Sequence, residues 1–280
     1  MKANKTPTKS NRYLEKSTVK NSTHEFPLIT TQTLNSIFGS VLLAVDRTAI
    51  SNFFDHGTVI LVNKPAGWTS FDVVNKIRNI TRAKKVGHCG TLDPFATGLL
   101  IVCTGKATKT VDTFAGLSKT YLNEFELGKT TDTLDCDGAV IDIGAVGDYT
   151  IEKLAAIAME LAREVEQMPP AYSAIKVNGT PSYKLARKGH SPDLKPRKIL
   201  IELFDILDYK KPIMQTRIRC SKGTYVRAIA RDFGNKIGCG AYVKSLKRES
   251  IGTYSCDDAL SIEQIALVIN SLKSANAHSN

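Results

Sequence analysis

The stretch Gly87-His88-Cys89-Gly90-Thr91-Leu92-Asp93-Pro94-Phe95-Ala96-Thr97-Gly98 runs directly into the apolar segment Leu99-Leu100-Ile101-Val102-Cys103. Gly87, Gly90 and Gly98 mark a backbone that turns tightly or lets a ligand approach closely. Pro94 biases Asp93 toward an extended conformation and removes the neighbouring amide that could tie down its carboxylate. The apolar segment, bounded by Gly98 and Gly105, reads as a buried strand. A carboxylate on a loop just ahead of such a strand is well placed to face a substrate. Asp-Pro also opens many ordinary turns, so the residues alone leave both readings standing.

Working outward, residues 58–62 form a β-branched run that predicts a strand. Thr69-Ser70-Phe71-Asp72 resembles a capping box, and Phe71, Val74, Ile77 and Ile80 are predicted to share the buried face of the helix it opens. Tyr121, Asn123, Phe125 and Leu127 alternate with Leu122, Glu124 and Glu126, which predicts a strand with one apolar face. Residues 151–164 read as a helix, and residues 172–177 lead into the turn pair Asn178-Gly179. Residues 199–207 and 214–220 look like paired strands. Residues 224–237 form a helix ended by Gly238, and residues 242–254 return to strand apart from Gly252. Ser261 and Gln264 make a second capping box, opening a helix to about Leu272. Strands and helices interleave with several short strand-to-strand links. The predicted class is α+β, with a mixed, largely antiparallel sheet flanked by helices.

A chain of 280 residues with 42% hydrophobic and 23% charged residues fits a soluble globular protein with a core of useful size. Its formal net charge of +11 favours a polyanionic partner, since phosphate neutralisation and counterion release drive nucleic-acid binding. The six cysteines form neither a CxxC nor a Cys/His cluster of zinc spacing, which points to a reduced, cytoplasmic protein and to no metal site. The apolar run at residues 37–45 stops at Asp46, too short to span a membrane. Residues 1–57 are rich in Lys, Ser, Thr and Asn and read as a flexible or mis-started extension. The catalytic unit is expected to cover residues 58–273, with a tail at 274–280.

Five blocks in order resemble the bacterial tRNA pseudouridine-55 synthases of the TruB type. The glycine-rich loop matches their signature around Asp93. Leu61-Val62-Asn63-Lys64-Pro65-Ala66-Gly67-Trp68-Thr69-Ser70 is similar to their lysine-proline opening motif. Lys119-Thr120-Tyr121, Met168-Pro169-Pro170-Ala171-Tyr172-Ser173-Ala174 and Cys220-Ser221-Lys222-Gly223-Thr224-Tyr225-Val226-Arg227 supply the rest. The resemblance implies the pseudouridine synthase catalytic fold and isomerisation of uridine 55 in the T loop of tRNA. Asp93 is then the catalytic nucleophile, which a covalent intermediate requires. Arg227 is its ion-pair partner, and Tyr121 is the ring that stacks on the target base and takes its C5 proton. His88 corresponds to the histidine that replaces the flipped base in the RNA loop. Lys64 either supports the site or meets a phosphate, Tyr225 packs nearby, and Leu246 lines the pocket.

The implied reaction consumes no water and moves no electrons, so it calls for no metal or other cofactor. The implied partner is the T-arm stem-loop of tRNA, bound by a monomer without an obligatory protein partner and away from any membrane. Two departures stand out. Cys89 occupies a position where the family commonly has threonine or alanine, and reads as packing. The C-terminal RNA-binding domain of the PUA type, found in many members, is expected to be absent. Two other readings are a non-catalytic RNA-folding module and a guide-RNA-dependent pseudouridine synthase. Retention of Asp93, Tyr121 and Arg227 together speaks against the first.

Overall fold

In the computed structural model, which describes residues 26–33 and 47–275, the chain opens with β1 (Leu28–Ile29), α1 (Arg47–His56), β2 (Thr58–Lys64) and α2 (Ser70–Thr81). β3 (Val86–His88) leads through the glycine-rich loop to β4 (Thr97–Thr104). A 3₁₀ turn and α3 (Val111–Gly116) then lead to β5 (Lys119–Leu127). The ribbon of β6 (Lys129–Thr131) and β7 (Val140–Asp142) precedes α4 (Ile151–Leu161) and β8 (Glu164–Gln167). A small hairpin, β9 (Lys176–Val177) and β10 (Thr180–Pro181), is followed by the short α5 (Ser182–Ala186). The chain closes with β11 (Arg197–Lys210), β12 (Ile213–Cys220), α6 (Val226–Ile237), β13 (Ala241–Ile251), β14 (Tyr254–Ser255) and α7 (Ile262–Ala275).

One large sheet runs in the order β1-β2-β4-β13-β5-β12-β11-β8, with β3 paired to β4 and β14 to β13. Only β1 with β2 and β4 with β13 are parallel, so the sheet is mixed and largely antiparallel, as the sequence predicts. β2 and β4 are buried on both faces, which is why their residues form continuous apolar runs rather than alternating. On one face Ile60, Val62, Leu100 and Val102 pack against Val73, Val74 and Ile77 of α2 and Ile265 of α7. On the other, Leu61, Leu99 and Ile101 pack against Phe114 and Cys89. In the second half of the sheet, Phe125, Phe204 and Phe233 make the centre of a separate core under α4 and α6. The halves meet at a seam only two residues long, Thr97–Gly98 against Lys247–Arg248. There the backbones approach so closely that a Cβ at Gly98, whose φ is +101°, would run into the Arg248 main chain.

Three local expectations change. In α2 the buried positions are Ser70, Val73, Val74, Ile77, Ile80 and Thr81, while Phe71 is exposed. The inward place in the first turn is taken by Ser70, whose hydroxyl has a buried hydrogen-bond partner. Glu164 begins an edge strand instead of ending a helix, because pairing with β11 outweighs local helix propensity. The packed unit also starts before Thr58. β1 adds to β2, the Thr31 N–H donates to the Asp258 carbonyl at 3.0 Å, and Phe54 of α1 is buried in the core. The apolar residues responsible, Phe26, Leu28, Ile29, Phe53 and Phe54, come in runs too short to show a periodicity. Residues 1–25, the run at 37–45 and the tail beyond Ala275 lie outside the described residues.

Candidate active site

The loop between β3 and β4 is fastened on both sides of Asp93. Ser70 Oγ accepts from the Leu92 N–H at 2.9 Å and donates to the Leu92 carbonyl at 3.2 Å. The Pro94 carbonyl accepts from the Gly67 N–H at 2.9 Å and from Lys64 Nζ at 3.2 Å. The capping box at Thr69 and Asp72 forms as predicted, so the start of α2 that presents Ser70 is itself fixed. With its neighbours pinned, Asp93 turns its side chain outward, and the carboxylate keeps 35% of its surface open to solvent.

Behind that carboxylate sits Arg227, in the first turn of α6 and buried. Its Nη2 donates to Asp93 Oδ1 at 2.9 Å, and its Nε lies 2.9 Å from Oδ2 as an ionic contact at too poor an angle for a hydrogen bond. Nη2 also donates to the Tyr172 carbonyl at 3.0 Å and Nη1 to the Thr133 carbonyl at 2.9 Å. A second carboxylate, Asp135, lies 3.2 Å from Nη1 with 6% of its side chain exposed. Burial raises the Asp135 pKa above the usual carboxylate value, while the Thr133 hydroxyl at 2.6 Å and Arg227 oppose that rise. One guanidinium therefore gathers the Asp93 loop, the turn after β6 and the segment holding Tyr172. An open groove of about 510 Å³, lined by Met168, Pro169, Tyr172, His190 and Leu194 among others, runs beside this cluster.

Residues 78–226 match the family described as TruB family pseudouridylate synthase (N terminal domain). The chain belongs to the TruB family. A protein of Endomicrobium trichonymphae named tRNA pseudouridine synthase B is 47% identical over 202 residues, spanning 72% of this chain and 88% of that one. A protein of the same name from Parabacteroides distasonis is 41% identical over 218 residues, 76% of this chain and 93% of that one. Among solved structures, the chain is similar to one in a Cbf5-Nop10-Gar1 complex, with a TM-score of 0.60 and 26% identity over 76% of this chain. It spans about half of that longer chain, 54% of its length. A chain in an H/ACA RNP bound to a substrate RNA containing 2′-deoxyuridine shares the fold at a TM-score of 0.57.

The remaining residues singled out from this TruB-family sequence fall around the same loop. Tyr121, on β5, is buried, and burial pushes its pKa up to about 12 against the opposing pull of the Arg248 guanidinium. His88, at the end of β3, has a buried Nδ1 without a hydrogen-bond partner, and burial with nearby Arg248 lowers its pKa. Leu246 is buried on β13 opposite Asn123 of β5. Tyr225 caps α6 by exchanging two backbone hydrogen bonds with the Gln167 side chain, at 2.9 and 3.1 Å. Lys64 requires a correction. Its ammonium is fully buried and donates to the carbonyls of Pro65 at 2.9 Å, Trp68 at 2.6 Å and Pro94 at 3.2 Å. All three protons are engaged, so it holds the loop and does not meet a phosphate.

Three further groups escaped the sequence reading. Asp135 lies in the acid-rich turn Asp132-Thr133-Leu134-Asp135-Cys136-Asp137, a visible cluster of carboxylates with no apparent partner before folding. Lys119 and Arg248 each stand two residues from a residue that was named, Tyr121 and Leu246, on the same strand and face. Arg248 Nε donates to the Leu99 carbonyl at 2.7 Å and Nη2 to the Gly90 carbonyl at 3.1 Å, so it spans the loop from behind. Cys89 packs with its Sγ 3.7 Å from that of Cys103, both buried. Among the described residues no group of His, Cys, Asp or Glu has a metal-binding arrangement, and no helix is long and apolar enough to cross a membrane.

Proposed function

We propose that this chain isomerises uridine 55 in the T loop of tRNA to pseudouridine, with Asp93 as the nucleophile. The observation that carries the reading is the half-open Asp93 carboxylate locked against buried Arg227, in a chain of the TruB family. The relatives named tRNA pseudouridine synthase B support tRNA as the RNA. Arg227 orients Asp93 through a charge-assisted hydrogen bond at 2.9 Å. The bond from ribose C1′ to uracil N1 breaks as Asp93 acts on the sugar. The base turns over, C5 bonds to C1′, C5 loses its proton and N1 gains one, so the product is an isomer. Tyr121 stacks on the base. Its phenol, with a pKa of about 12, is protonated at neutral pH, so it handles the C5 proton as a relay and not as a standing base.

The target must leave its folded loop to reach Asp93, at a cost of a few kcal/mol. The net charge of +11 and stacking in the site offset that cost. The chain acts alone on the T-arm. Greater identity to a protein named tRNA pseudouridine synthase B, 47% against 26% for the chain in the Cbf5-Nop10-Gar1 complex, supports this over guide-RNA dependence. The test is to incubate purified protein with unmodified tRNA and with a T-arm hairpin, then map pseudouridine chemically. Modification confined to position 55 in both RNAs is expected, with Asp93→Asn inactive yet folded and RNA-binding. Appreciable product from that variant, or product elsewhere in the tRNA, would overturn the reading.

A further inference from the structure

Phe71 is 63% exposed, and no other Phe, Tyr or Trp among the described residues is classed as exposed. A single exposed apolar side chain is ordinary in itself. Its place is what matters. The residue before it, Ser70, is bonded to both backbone groups of Leu92, and the turn leading to it is bonded to the Pro94 carbonyl through Gly67. Leu92 and Pro94 are the neighbours of Asp93, so the first turn of α2 is rigidly coupled to the reactive carboxylate. Phe71 thus follows directly on the residue that holds the Asp93 loop, while Val73, Val74 and Ile77 of the same helix face the core.

We infer that Phe71 is a stacking platform for a nucleobase adjacent to the target uridine in the RNA. This rests on the proposed function in taking RNA as the substrate. Extruding one uridine removes a stacking partner from each neighbour, and a flat, uncharged ring fixed beside the site replaces it. The next residue argues for a base instead of backbone phosphate at this spot. Asp72 carries a carboxylate bonded to the Thr69 N–H at 2.9 Å and hydroxyl at 2.6 Å, and those bonds hold its pKa below the usual value. A fixed negative charge beside the ring repels phosphate and leaves the ring to meet the face of a base. Stacking tolerates any base, so Phe71 contributes affinity and alignment, not base identity.

The test compares wild type with Phe71→Ala, Phe71→Tyr, Phe71→Trp and Phe71→Leu on unmodified tRNA, reading KM and kcat. Direct RNA binding is followed in parallel by anisotropy of labelled tRNA. Phe71→Ala is expected to weaken binding roughly 5- to 150-fold, the range equivalent to alanine replacement of a base-stacking ring. Tyrosine and tryptophan should restore binding and leucine should not. An abasic site at the stacked neighbour should abolish the difference between wild type and Phe71→Ala. Equal affinity for these two proteins, or full rescue by leucine, overturns the inference. A dimer that Phe71→Ala dissolves, with RNA affinity unchanged, overturns it in favour of self-association. Because binding is read separately from turnover, a wild type that binds tRNA but makes no pseudouridine fails the proposed function without deciding the role of Phe71.

Discussion

Two sets of buried cations surround the Asp93 loop, and they are held in different ways. Arg227 faces two carboxylates, Asp93 at 2.9 Å and Asp135 at 3.2 Å. Lys64, Lys119 and Arg248 have no carboxylate within ion-pair reach among the described residues; both lysines donate to backbone carbonyls, and Arg248 to two carbonyls beside the Tyr121 phenol. Lys119 Nζ lies 2.6 Å from the Ala115 oxygen and 2.5 Å from that of Leu117. Burial lowers the pKa of both Lys64 and Lys119 to about 8, in Lys64 against the opposing field of the Asp93 carboxylate. A carboxylate partner fixes a charge and its orientation, which is what a reacting group needs. A carbonyl partner fixes a backbone path. On the proposed function the first set serves the chemistry and the second the shape of the loop, and substitutions should separate the two.

The largest effect is expected at Arg227. Arg227→Ala leaves Asp135 buried and Asp93 half-buried without a counter-ion, and should cost about 3–5 kcal/mol of stability in a denaturant titration. Pseudouridine formation should fall to background. Arg227→Lys keeps the charge without the planar fork and should recover stability far better than turnover. Equal recovery of both would dissolve the distinction between the two sets.

Asp135 comes next. Asp135→Asn keeps a side chain of the same size near Thr133 but removes the second negative charge on Arg227. Single-turnover rates should fall about 10- to 100-fold, or about 1.4–2.8 kcal/mol in barrier. RNA binding should be nearly unchanged, because Asp135 is buried behind the guanidinium and does not face the groove. A rate within twofold of wild type would show that Arg227 needs only Asp93.

Lys64→Met tests the other set. Three carbonyls lose the Lys64 ammonium, Pro94 alone keeping another donor in the Gly67 N–H, which should destabilise the protein by about 1–3 kcal/mol after the relief of burying a charge. Turnover by the folded fraction should stay within about tenfold of wild type, an effect of roughly 1.4 kcal/mol or less. A loss as deep as that of Arg227→Ala, in protein that is still folded, would place Lys64 in the chemistry.

This contrast also explains how much could be read from sequence. Asp93, Tyr121 and Arg227 lie in contiguous motifs, and β2, β4 and the two capping boxes carry strong local signals, so the sheet class and the Asp93–Arg227 pairing were legible. Asp135 was not, because its meaning comes from a guanidinium 92 positions away in sequence, as the numbers 135 and 227 show. Arg248 and Lys119 look like surface cations on alternating strands until the strands are stacked under a loop. Periodicity puts Phe71 on the inner face because it cannot tell which residue of a first turn has a polar partner waiting in the core. The N-terminal strand and α1 look like extension in the sequence because their few apolar residues pack only against surfaces made elsewhere.

The smallest effect is a slope. In unfolded protein a lysine keeps its proton to about pH 10.5, whereas Lys64 in the folded protein gives it up from about pH 8. Between these values the unfolded state binds more protons, so this group makes stability rise with pH, by at most about 1.4 kcal/mol per pH unit. Below pH 8 both states are protonated and the burial cost is fully present; above 10.5 both are neutral and nothing more is gained. Lys119 behaves alike in wild type and in Lys64→Met, so it cancels in their difference. Stability measured by denaturant for the two proteins from pH 7 to 10 should therefore show wild type gaining on the variant above pH 8. A flat difference for Lys64 would mean that its three carbonyls hold the charge against burial, and the carbonyl-held and carboxylate-held cations would then differ in position alone.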